Sequence, residues 1–61
     1  MKDRETIALE LQTIAEELND LSMRLLSDAI EAGLTMRPAG EKSVSQARRA
    51  VEKAIHHLTD H

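Results

Sequence analysis

Residues 7–25 read IALELQTIAEELNDLSMRL, and the apolar positions in this stretch decide the fold. Ile7, Leu11, Ile14, Leu18, Leu21 and Leu25 recur at spacings of four, three, four, three and four. That is the heptad seam of a helix that packs against another helix. Ala8, Ala15, Ser22 and Ala29 make a second stripe beside it at seven-residue spacing. Small residues there let a neighbouring helix approach closely, toward the low end of the ~8–10 Å interaxial range. The seam's next position is Asp28, and Leu26, Ala29, Ile30 and Ala32 carry the apolar surface onto a shifted face. Such a shift follows from the drift of about 20° per heptad in a straight helix.

Upstream of the stretch, Asp3 is placed to cap the helix, with Glu5 in the first turn where the helix dipole favours an acid. Downstream, no Gly or Pro interrupts the chain before Gly33. Gly33 has the placement of a C′ glycine, followed by the apolar Leu34. Pro38 and Gly40 complete the one cluster of helix breakers. Ser43-Val44-Ser45-Gln46 then fits a capping box, with Glu41 as a rival start two or three residues earlier. Val44, Ala47, Val51, Ala54 and Leu58 form the second seam, flanked by Ala50 and Ile55.

The expected fold is therefore all-α. It is an antiparallel helical hairpin in one domain over residues 1–61, with a helix over about 4–32, a loop over 33–43 and a shorter helix over about 44–60. At 1.5 Å per residue the two helices span about 43 and 26 Å. On these boundaries the second helix ends roughly level with Ala15, leaving Ile7, Leu11 and part of Ile14 without a partner inside the chain. Full burial of such side chains is worth about 1.5–3 kcal/mol each. A chain of this length rarely draws more than about 3–5 kcal/mol from its own core. Association is the expected remedy, and a homodimeric four-helix bundle is its simplest form. Ile7, Leu11, Ile14, Leu18, Leu21 and Leu25 are the expected interface. Binding of a different protein along the same strip is the second possibility.

Composition narrows the function classes. The 61 residues are 41% hydrophobic and 31% charged, which suits a folded chain rather than a disordered one. Cys is absent, so no disulfide and no Cys-based metal site is expected. Phe, Tyr and Trp are absent as well, which removes platforms for base stacking. No apolar run approaches the length of a membrane span, and no apolar segment follows the charged residues 1–5 as in a signal peptide. No membrane association is expected, and missing export signals suggest a cytoplasmic location.

Charge is unevenly placed. Residues 1–32 carry eight acids against Lys2, Arg4 and Arg24, while residues 33–61 carry five cations against Glu41, Glu52 and Asp60. Opposite signs on neighbouring segments favour packing them together. Arg48, Arg49 and Lys53 form a basic patch that is the expected contact for a partner. The same patch supports a second reading, a dimeric nucleic-acid-binding regulator. The long Pro-containing loop is unlike a helix-turn-helix and the net charge is −3, so nucleic acid is the less expected partner.

Catalytic and metal chemistry find little footing. His57 and His61 are four apart and can share a helix face, but a stable site needs one or two further ligands and no Glu lies between them. No metal or other cofactor is expected. Glu10, Glu16, Glu17 and Asp20 read as a solvated helix face, because two short helices offer no concave pocket to shift a carboxylate's pKa. The chain is expected not to be an enzyme.

Three groups of small bacterial helical proteins bear a limited resemblance. In length and topology the chain is similar to the plasmid RNA-binding Rop proteins, which are homodimeric four-helix bundles. The stretch Arg49-Ala50-Val51-Glu52-Lys53-Ala54-Ile55 resembles helices of the co-chaperones of type III secretion needle subunits, which implies half of a heteromeric helical complex. Ser45-Gln46 matches the start of the Ser-Gln-Glu-Leu-Asp signature of the sporulation aspartyl-phosphate phosphatases, but Ala47-Arg48-Arg49 replaces the rest and the essential acid is missing. None of these resemblances defines a family for the chain. The reading that results is a small regulatory protein that works by self-association and by binding a protein partner.

Overall fold

The computed structural model describes residues 1–33 and 38–60. Two helices, α1 (Arg4–Glu31) and α2 (Ala39–Thr59), pack against each other as a hairpin. The molecule is a rod, 46 Å long and 14 Å across between Cα atoms. Its radius of gyration is 14.4 Å, against about 10.5 Å for a globular chain of this length.

The ends of α1 follow its sequence. Asp3 is extended and its carboxylate accepts the Thr6 amide at 2.8 Å. That backbone hydrogen bond holds the Asp3 carboxyl below its ordinary pKa. At the other end Ala32 donates to Asp28 O and Gly33 to Ile30 O, and Gly33 has φ +76°. A side chain disfavours that left-handed conformation, so glycine belongs there. Leu34, the apolar residue expected to follow the cap, lies outside the described residues.

The second helix begins earlier than the sequence reading placed it. Pro38 occupies the cap position at φ −63° and ψ 145°, and Ala39 opens the helix. Proline's missing N–H is no loss at a helix start, where the first amides lack intrahelical partners. Glu41 then falls in the first turn, where the helix dipole favours an acid. Ser43, the expected cap, is an interior helical residue. The hydroxyl of Ser45 is turned to Glu41 Oε1 at 2.7 Å.

The early start changes the alignment of the two helices. Ser22 Oγ donates to Glu41 Oε1 at 2.8 Å, and Arg48 Nη1 donates to Asn19 Oδ1 at 2.6 Å. At equal rise along both helices, this register brings the last turn of α2 level with Ala8. Ala8 is only 3% exposed and Leu11 is half-buried. The second helix therefore covers more of α1 toward its free end than the sequence reading allows.

The line of closest approach also differs. Ala8, Ser22 and Ala29 are the buried residues of α1, so the small stripe lies innermost. Leu11, Leu18 and Leu25 flank it and are half-buried, while Ile7, Ile14 and Leu21 are exposed. Small side chains at the contact let the helices approach, and the larger ones then pack to either side. On α2 the residues withdrawn from solvent are Glu41, Val44, Ser45, Arg48, Val51, Ala54, Ile55 and Leu58, which include the expected seam residues Val44, Val51, Ala54 and Leu58. Ala47, expected in the seam, is exposed, and Arg48 takes its place. This slight rotation also half-buries Ile55, which offers more apolar area than Ala47. The Arg48 stem can follow it because only its guanidinium needs polar partners.

Candidate functional site

The two flanks of the hairpin are chemically different, and the difference follows from 100° per residue along each helix. One flank is a polar groove. Gln12, Glu16 and Asn19 line it from α1, and Arg48, Glu52 and His56 line it from α2. Arg48 Nε lies 3.4 Å from Glu52 Oε1, one turn on, while its Nη1 holds Asn19. The groove is open along its length rather than enclosed.

The opposite flank is apolar. Ile7, Ile14 and Leu21 stand at seven-residue spacing on α1, exposed by 38%, 44% and 38%. Beside them α2 presents Ala47, Ala50 and Ala54, the first two exposed and the third half-buried. Glu10 and Glu17 border the strip on α1, and Lys2 reaches Glu10 at 2.9 Å. Large apolar side chains thus recur along this flank, rimmed by charge.

The six expected interface residues thus divide into two sets. Leu11, Leu18 and Leu25 pack within the hairpin, and Ile7, Ile14 and Leu21 face outward. The three basic residues divide as well. Arg49 and Lys53 are exposed, whereas Arg48 is half-buried between Asn19 and Glu52. His57 is exposed and His61 lies outside the described residues. Among the described residues no group of three or more His, Cys, Asp or Glu side chains is placed to hold a metal ion. Among them, too, no helix is long and apolar enough to cross a membrane.

One constellation escaped the sequence reading. Glu41 is 2% exposed, and both Ser22 and Ser45 donate to its Oε1. The available signal was Ser22 itself, the one polar member of an otherwise all-alanine stripe. A buried hydroxyl needs a partner, and an acid near the start of the opposite helix is a good one. No protein-family model matches this chain, and neither the curated proteins nor the solved structures give a match to it.

Proposed function

We propose that this chain is a small, non-enzymatic helical interaction protein that regulates a protein partner and self-associates into a four-helix bundle. The observation that carries the reading is the outward stripe of Ile7, Ile14 and Leu21 on a hairpin with little interior. Among the described residues the buried apolar ones are Ala8 and Ala29, and no large side chain is fully buried. Two helices meet along a line, so each leucine and isoleucine keeps one side in water until a further helix covers it. Association supplies the missing cover.

Arg49 and Lys53 are the exposed cations of α2 and serve here as the charged contact to the partner. The phosphate-binding reading loses support, since Arg48 is engaged inside the hairpin.

The test is sedimentation of the wild-type chain beside Ile14→Glu. Ile14 is 44% exposed in the hairpin, so the new carboxylate stays in water there but is buried in an assembly. The wild type should sediment above one chain mass and the variant as one chain, still helical by circular dichroism. Equal masses for the two proteins would refute the assignment of this flank.

A further inference from the structure

We infer that the apolar flank is covered by a second copy of this chain, with α1 of each copy seated on α2 of the other. The inference rests on the self-association reading above and specifies its geometry. Three observations support it.

The first is size. The α1 half of the flank is bulky, with Ile7, Ile14 and Leu21, and the α2 half is small, with Ala47, Ala50 and Ala54. A two-fold axis parallel to the helices presents each half to the other, so branched side chains enter the space over the alanines. The reverse pairing sets isoleucine against isoleucine and leaves the two alanine halves facing each other across a gap. Interiors tolerate such gaps poorly.

The second is charge. Helix α1 holds seven acids against Arg4 and Arg24, whereas α2 holds Lys42, Arg48, Arg49 and Lys53 against Glu41 and Glu52. Glu10 and Glu17 border the flank on α1, and on α2 the bordering positions are Ser43, Gln46 and His57, with no acid. Seating α1 on α2 therefore sets opposite net charges side by side, and seating α1 on α1 sets like charges together.

The third is area. The chain exposes 4947 Å², whereas a compact monomer of its mass exposes about 4,000 Å². The excess of roughly 900 Å² is close to the ~800 Å² that each partner of a standard interface buries. A second copy on this flank buries an area of that order.

The experiment uses cysteine pairing in a chain that has no cysteine of its own. Ile14→Cys, Ala47→Cys and Ala54→Cys are made singly. The Ile14→Cys protein is mixed with each of the others, exchanged and oxidised, and the disulfide dimers are sorted by intact mass. The geometry requires that a mixed dimer, Ile14→Cys joined to Ala47→Cys or to Ala54→Cys, exceed the half share that random pairing gives. Dominance of the dimer formed by two Ile14→Cys chains, or random shares in both mixtures, overturns the arrangement. The unoxidised mass is read in parallel. Twice the chain mass with either contrary result removes the arrangement alone. A single chain mass removes the self-association reading with it and passes the flank to a different protein.

Discussion

Arg48 and Arg49 are neighbours with identical side chains, yet the fold uses them differently. Arg48 is half-buried, bonded to Asn19 and paired with Glu52, whereas Arg49 stands in solvent. Arg48→Ala leaves the Asn19 carbonyl without its donor, which costs about 1–3 kcal/mol. Arg49→Ala should stay within about 0.5 kcal/mol of the wild type. Urea unfolding of the two variants measures the difference, and equal midpoints would refute the placement of Arg48. Composition showed both arginines as one basic patch, because only the rotation of α2 about its axis separates them. Asp3 was legible from the start: a short acid before a helical run has one common use. Its folded pKa lies below the unfolded value, held there by the Thr6 amide. The stabilisation is thus complete above the ordinary aspartate range and is lost as pH falls through the lower folded value. Fraying of the first turn should begin only below that ordinary range. The Thr6 amide shift in an NMR titration reports it, and an unchanged shift through acid pH would count against the cap.

At the scale of the helices, the two glycines make opposite predictions. Gly33 has φ +76°, so Gly33→Ala is strained although no atom of the described residues lies within 4 Å of the added Cβ. It should cost about 1 kcal/mol. Gly40 lies within the first turn of α2, and among the described residues a Cβ built there meets only Leu25 Cδ1, at 3.7 Å, an ordinary contact. Gly40→Ala should therefore stabilise by about 0.5–1 kcal/mol, because alanine loses less backbone freedom in a helix. Thermal melts of both variants decide the signs, and a destabilised Gly40→Ala would contradict the early start of α2. That start was the hardest boundary to read. Ser43 and Gln46 satisfy the capping-box pattern, but Pro38 already sets the chain for a helix, and residues 39–42 continue it without conflict. The two-helix layout and the end of α1 were plain, since heptad spacing and Gly33 each have a local cause. The line of contact was not. A seam of seven-residue repeats admits two neighbouring faces, and the choice between Ile14 and Ala15 as the inner position depends on how closely α2 can approach.

For the whole molecule, the hairpin is a rod in which large apolar side chains remain partly wet, and its flanks differ in chemistry. The polar groove is held by Arg48 and its partners, and the apolar flank carries isoleucine and leucine outward. Once α2 is seen to reach Ala8, the overhang that first argued for association no longer applies. The argument moves to the Ile7, Ile14 and Leu21 stripe, which runs along the paired length of the rod. The proposed association then depends on a flank and not on a leftover end, so shortening the free end of α1 is not the variant that tests it. The direct measurement is solution mass by multi-angle light scattering over a wide concentration range, with refractive-index detection because the chain has no aromatic residue. The account predicts about twice the 6.8 kDa chain mass, persisting into the low micromolar range. A mass of one chain at every concentration, with the helices intact, would contradict it.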